Sequence, residues 1–339
     1  MAVRAALVGY GLAGRVVHRP LLQAVDGLEV TLVVTADPGR RAQAAADLPD
    51  AAVLASADEL WARAGEVDLV VVATPDDVHP ALATAALDLG LAVVVDKPLA
   101  LTAREAADLV AHAERVGAAL SVFHNRRWDS DTLTAAALLE AGTLGVVHRL
   151  EARFTRFRPH VQQRWREQAG SGGVLLDLGT HLVDQATQLL GPVTAVYAEV
   201  RARRADAVVD DDCLLALTHR SGASSLLWCS AAAPWSGPRL VLQGSAAGWA
   251  KQELDGQEDA QRRGVPVAPE PAGLLSDEHG SRSYPSVPGD WAAYYRVMVR
   301  TVRDGAPVPV HPADGVRVLQ VLEAAALSST RGEVVHLDG

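Results

Sequence analysis

Cysteine is nearly absent from this chain. Cys213 and Cys229 are the only two in 339 residues. They offer neither metal-finger spacing nor a disulfide framework, so a reducing cytoplasm is the expected location. Apolar runs of membrane-spanning length are also lacking, and no membrane association is expected. The opening stretch, MAVRAALVGYG, has too short an apolar run for a secretory signal and lacks its cleavage pattern. Basic charge is in deficit, with 31 Lys and Arg against 41 Asp and Glu. That deficit argues against nucleic acid or an anionic membrane as a partner, because phosphates attract a basic face. A local basic patch for a single phosphate stays open. No internal repeat occurs.

What is present is an ordinary globular composition, 49% hydrophobic and 21% charged. The length is too great for one ordinary core, and two domains are expected. Up to residue 124, apolar strand-like runs alternate with helical stretches: VRAALVGY (3–10), LEVTLVVTAD (28–37), VDLVVVAT (67–74), LAVVV (91–95) and AALSVFH (118–124). That alternation implies a parallel sheet covered by helices on both faces, a doubly wound α/β domain over 1–124. From 125 to 339 the pattern changes. VVHRLEARFTR (146–156) and TAVYAEVRA (194–202) alternate in period two, and DCLLALTH and ASSLLWCS flank RSG as a hairpin. Strands without intervening helices imply an α+β domain with a mixed or antiparallel sheet, one face of it open to a partner. Residues 251–290, polar and rich in Pro and Gly, are expected to form a long excursion, an arm or lid.

GYGLAG, residues 9–14, matches G-x-G-x-x-G between a strand and a helix, the context a dinucleotide fingerprint requires. Gly9 permits the tight turn, Gly11 lets amides approach a pyrophosphate, and Gly14 brings the helix close to the sheet. Tyr10 and Leu12 complete the turn. The alternative is a chance glycine cluster. For the choice between NAD and NADP, Thr35 falls where an NAD site carries its ribose-binding acid, if Asp37-Pro38 opens the next helix. A hydroxyl there tolerates a 2′-phosphate, which Arg40 or Arg41 would pair with. If the register differs by two, Asp37 is the ribose ligand and the preference becomes NAD. The reading leans to NADP.

Ligands of such sheets bind beyond the carboxyl ends of the strands, which places Thr74, Pro75 and Lys97 near the cofactor. Pro98 cannot extend the strand and holds Lys97 beyond its end. Composition alone favours a solvated surface lysine. His79 either contacts the cofactor or packs on its own helix. GSGGVLLDLGTHLVDQATQLLG (170–191) leads from a glycine-rich loop into a helix. Leu175, Leu178, Leu182, Ala186 and Leu189 form its apolar stripe, and Asp177, His181, Asp184 and Gln188 lie on another face. A carboxylate one turn from an imidazole raises its basicity and orients it. The alternatives are an amphipathic helix with a solvated polar face and a zinc site, the latter with no evident third ligand.

Together GYGLAG, ATPDDVHPALATAALDLGLAVVVDKPLA and GGVLLDLGTHLVDQ resemble the glucose–fructose oxidoreductase, inositol dehydrogenase and rhizopine catabolism (Gfo/Idh/MocA) family, over nearly the whole chain. Asp96 stands where that family usually has Glu before Lys-Pro. HNRRWD (124–129), RWRE (164–167) and DGQEDAQRRG (255–264) are similar to its NADP-dependent scyllo-inositol dehydrogenases. The resemblance implies a Rossmann domain, a larger mixed-sheet domain, and homodimers or homotetramers built through that sheet. It raises Lys97, Asp177 and His181 to a catalytic set: His181 with Asp177 as acid/base, Lys97 on the reacting oxygen, the proton work shared between lysine and histidine. It implies a polyol or sugar substrate, for which Asn125, Arg127, Arg164, Trp165, Asp177 and His181 are candidate contacts. Other sugars or small carbonyl compounds are alternatives within the enzymes. A cofactor-binding sugar sensor needs neither Lys97 nor His181, and a hydrolase using tightly held NAD is a third reading.

Overall fold

The computed structural model describes residues 2–162, 165–170 and 172–337, with only the backbone of Trp165. The chain divides into two compact units. One comprises residues 1–125, 257–267 and 290–317, and the other residues 126–256, 268–289 and 318–339. Segments 257–267 and 290–317 thus belong with the N-terminal unit, where a single boundary after residue 124 was expected.

The first unit is a six-stranded parallel sheet of β1 (Val3–Val8), β2 (Leu28–Val34), β3 (Ala52–Leu54), β4 (Leu69–Val72), β5 (Ala92–Asp96) and β6 (Leu120–Phe123). Its order is β3-β2-β1-β4-β5-β6, so the winding reverses between β1 and β4. Every residue of β4, and Ala92 to Val95 of β5, is buried, as a sheet covered on both faces demands. Between β1 and β2 a π-helical stretch, Ala13–His18, continues as α1 (Arg19–Gln23). The other crossovers carry α2 (Pro38–Asp47), α3 (Ala57–Trp61), α4 (His79–Asp88) and α5 (Ala103–Val116). α5 starts at a reciprocal cap between Thr102 and Glu105 and stops at Gly117, whose φ is 72°. β3 is a strand the sequence pattern did not disclose, since three residues are too few to show a period.

The second unit begins with α6 (Ser130–Glu140), β7 (Val147–Thr155), a π-helical turn at Leu175–Gly179 and α7 (Thr180–Leu190). β8 (Val193–Arg201), β9 (Asp212–His219), β10 (Ser224–Ser230), β11 (Leu240–Gly244) and β12 (Gly248–Lys251) follow. Then come α8 (Gln257–Arg263), β13 (Gly273–Asp277), β14 (Gly280–Tyr284), α9 (Ala292–Asp304), α10 (Pro312–Arg331) and β15 (Val335–His336), of which α8 and α9 lie in the first unit. The nine-stranded sheet runs β14-β13-β12-β11-β7-β10-β9-β8-β15. It is antiparallel except where β7 pairs β10. Ala135, Leu138, Leu182, Val183, Ala186, Val318, Val321, Leu322, Ala324 and Ala325 pack from helices onto the inward side chains of this sheet. On strand positions turned the other way, Tyr197, Leu226 and Leu274 are exposed.

Residues 251–290 are therefore not an arm or lid. Their two polar strands extend the sheet, and α8 packs in the first unit against Ala13–His18. Polarity misled here because an edge hairpin such as GSRSY needs little apolar surface, and polar side chains blunt a sheet edge against further pairing. No helix among the described residues is long and apolar enough to cross a membrane.

Candidate active site

Gly9 follows the last residue of β1, and the three glycines answer different demands. Gly9 has φ of 98°, and a Cβ there would collide with the Ala73 carbonyl at the end of β4. A Cβ on Gly14 would collide with the Gly9 carbonyl. Gly11 meets only the Arg40 guanidinium, whose Nη1 would lie 3.8 Å from its Cβ. The turn is closed on the protein side and open at Gly11, where a diphosphate would approach backbone amides at the head of the helix. Thr74 adds a second sign: its Oγ1 is buried with no hydrogen-bond partner among the described residues. These residues fit a dinucleotide lying across the reversal between β1 and β4.

Tyr10 is 1% exposed, and its hydroxyl donates to Asp47 Oδ2 at 3.0 Å. Burial and then this contact hold the phenol above its usual range, while Arg15 Nε donates to the same carboxylate at 2.8 Å. The Tyr10 side chain thus serves the fold, and Leu12 stands exposed beside the turn. Past β2, Thr35 is buried and its amide donates to the Leu54 carbonyl. Asp37 caps α2, accepting the Arg40 amide at 2.8 Å. The register that makes Asp37 the N-cap is the one observed, and Arg40 stands beside the glycine turn.

His79 was a candidate for direct cofactor contact. Its Nδ1 lies 2.9 Å from the Pro98 carbonyl oxygen and its Nε2 3.0 Å from that of Thr74. The two ring nitrogens thus face backbone carbonyls of the loops after β4 and β5, and a neutral ring donates to one of them. Pro75 leads into the short turn before α4. Lys97 is 7% exposed, which removes the solvated-surface reading. Its amide donates to Asp96 Oδ1 at 2.8 Å.

In the second unit the glycine-rich loop lets the chain pass Asp210. Gly173 has φ of 57°, and a Cβ there would strike the Asp210 carboxylate. That carboxylate accepts the Leu175 amide at 2.7 Å, and burial raises its pKa above the usual carboxyl range. The π-helical turn starts on this anchor and carries Asp177, with His181 one turn later in α7. Asp177 is half-buried, with Arg166 Nε 3.3 Å from its Oδ1. His181 and Asp184 are 6% and 2% exposed. A solvated polar face is thereby excluded for them, while Gln188 alone of that set is exposed.

His181 shares an aromatic neighbour with three cations. Its ring centroid is 6.2 Å from that of Phe154, over which stand Arg126, Arg156 and Arg239 at 4.6, 5.0 and 5.8 Å. Phe154 and Arg156 were missed, although their spacing of two puts both on one side of an extended chain. Arg127, a candidate substrate contact, is paired within the unit. It grips Asp184 through two nitrogens, at 2.6 and 3.0 Å, and so braces α7. Asn125 is buried at the turn after β6. Arg164 and the Trp165 side chain lie outside the described residues. No group of three or more His, Cys, Asp or Glu able to hold a metal ion occurs among the described residues.

Residues 3–124 match the oxidoreductase family with an NAD-binding Rossmann fold, and residues 132–250 match the GFO/IDH/MocA C-terminal domain. The scyllo-inositol 2-dehydrogenase (NADP(+)) IolW of Bacillus subtilis strain 168 is 35% identical over 99% of this chain and 96% of its own. D-apiose dehydrogenase of Paraburkholderia graminis is 27% identical over 98% of this chain and 89% of its own. Among solved structures, the oxidoreductase YvaA of Bacillus subtilis superposes with a TM-score of 0.93 at 34% identity, covering 99% of both chains. With the glycine turn and both domains accounted for, the chain belongs to the Gfo/Idh/MocA family and is an NAD(P)-dependent oxidoreductase.

Proposed function

We propose that this enzyme moves hydride between NADP and a cyclic polyol, an inositol of the scyllo-inositol/scyllo-inosose type. The observation that carries the reading is the burial of Lys97 and His181, two ionisable groups that a fold gains nothing by hiding. The likeness to an inositol dehydrogenase along the whole chain supports the substrate class. A bound nicotinamide supplies or accepts the hydride. His181 exchanges the hydroxyl proton, and Asp177, one helical turn earlier, biases and orients its ring. Lys97 hydrogen-bonds the reacting oxygen and offsets its developing negative charge. Arg40, with neutral Thr35 in place of an acid, favours the 2′-phosphate of NADP over NAD.

A sugar substrate is the second reading, favoured by the similarity to D-apiose dehydrogenase. The exposed Tyr197, Leu226 and Leu274 suit a second copy of the chain on the open sheet face, giving a homodimer or homotetramer. Two free buried thiols suit a cytoplasmic enzyme. A panel of inositols and sugars, each with NADP and NAD, tests the proposal through absorbance of the reduced cofactor. Reduction by sugars alone refutes the inositol assignment, and faster turnover with NAD refutes the cofactor preference.

A further inference from the structure

Beside Lys97 stands a buried histidine that these steps do not use. His18 closes the π-helical stretch after the glycine turn and is 0% exposed. Its Nδ1 lies 2.6 Å from the Tyr295 hydroxyl of α9, and its Nε2 lies 3.7 Å from Asp96 Oδ2. The other oxygen of Asp96 accepts the Lys97 amide. Phe123 flanks the imidazole at 4.4 Å between centroids and touches Tyr295 as well.

The proton positions follow from what each group can do. A carboxylate only accepts, so the ring nitrogen facing Asp96 carries its proton. In the neutral ring Nδ1 is then the acceptor, and Tyr295 is its donor. Burial, reinforced by Tyr294 and Asp96, holds the Tyr295 phenol far above its usual range, so it keeps the proton it donates. For Asp96 burial works toward a higher pKa, and the nearby Lys97 charge works against it. The result is a directed series: Tyr295 hydroxyl to His18, His18 toward Asp96, and Asp96 to the Lys97 backbone.

A ring needed only to fill space would be cheaper as leucine or phenylalanine, since a buried imidazole costs stability unless bonded. Here Nδ1 is bonded to the Tyr295 hydroxyl, Nε2 faces Asp96 at 3.7 Å without a hydrogen bond to it, and the series ends on the residue that carries the amine. We propose that His18 is a positioning residue for Lys97, fixing with Tyr295 the carboxylate that sets the backbone and the local charge of that lysine. This rests on the role given to Lys97 above.

Three variants test it: His18→Leu, His18→Gln and Tyr295→Phe. Two readouts are taken on each. One is kcat and KM with NADP and the best substrate of the panel, alongside NADPH affinity by fluorescence. The other is the rate at which acetic anhydride modifies the Lys97 amine, read by peptide mass, which needs no turnover. His18→Leu is expected to lose on the order of 10- to 100-fold in kcat, with KM and NADPH affinity near wild type. Lys97 reactivity should change several-fold in the same variant. His18→Gln, whose amide offers an N–H to Asp96, should restore most of both. Tyr295→Phe should shift both in the same direction by less. Wild-type kcat and wild-type Lys97 reactivity in folded His18→Leu overturn the proposal. Should His18→Leu fail to fold, the same two results in Tyr295→Phe overturn it. A wild-type enzyme inert toward the whole panel refutes the polyol reading alone, because Lys97 reactivity still reports on His18.

Discussion

Nδ1 of His79 sits 2.9 Å from the carbonyl oxygen of Pro98, while the opposite nitrogen meets the carbonyl of Thr74. One buried ring therefore ties the loop after β4 to the loop after β5, and those loops carry Thr74 and Lys97. A neutral ring carries one N–H, so His79→Leu takes the donor from one of these carbonyls. Each buried polar group left unsatisfied costs about 1–3 kcal/mol. Urea unfolding should show a loss of that order, and turnover should fall although His79 touches no substrate.

Lys97→Ala separates chemistry from binding. Positioned proton-handling and charge-stabilising groups contribute roughly 10²–10⁴-fold. Turnover should drop by that factor while NADPH affinity, measured by fluorescence, stays near wild type. Wild-type turnover in this variant would remove the proposed mechanism.

The fold was legible where periodicity had room to show. β4 and the Ala92 to Val95 stretch of β5 are continuous buried apolar runs, and β7 and β8 alternate as half-buried strands do. β14 was not legible because its side chains are polar, and β13 because two leucines in five residues are too few to show a period. At the site, spacing placed Asp177 and His181 one turn apart, but it gave no sign that the polar face is interior. Burial of a polar face is decided by what packs there, in this case Phe154 on β7 and a bracing salt bridge from Arg127 to Asp184. His18 and Tyr295 are separated by 277 residues, and no local pattern links two such positions.

Arg40→Ala tests the cofactor assignment. A hydrogen bond to a charged group is worth about 1.5–3 kcal/mol, or roughly 10–100-fold in affinity. KM for NADP should rise by that range while KM for NAD stays unchanged. Equal changes for both cofactors would place Arg40 away from the 2′-phosphate.

Cys213 and Cys229 face each other across β9 and β10, and both are fully buried. The Cys229 contact, then burial, hold the Cys213 thiol far above its usual pKa. A thiolate is the reactive species, so native protein should give almost no colour with a disulfide reagent such as Ellman's. Both thiols should react once the chain is unfolded in guanidinium chloride.

Asp129 predicts how stability depends on pH. It is fully buried, and burial pushes its carboxyl up to about 8. Arg126, 3.0 Å away, opposes that rise, while the Asp131 and Asp255 carboxylates add to it. In the unfolded chain the same carboxyl titrates at its ordinary 3.8. Between these values the folded protein holds a proton that the unfolded chain has released. Stability from this group is therefore full below 3.8, falls as pH rises, and levels off above about 8. Asp210, also raised by burial, acts with the same sign. The depressed carboxyls of Asp47, Asp68 and Asp96 act with the opposite sign, but their windows lie below 3.8. Burial lowers His219 below its ordinary 6.5 and so acts with the opposite sign up to that pH. Urea midpoints taken at about pH 5.5, 7 and 9 should show the decline most clearly between 6.5 and 8 and flatten toward the last. Asp129→Asn, which cannot ionise, should make that decline shallower, and a slope equal to wild type would show that Asp129 is ionised in the folded enzyme.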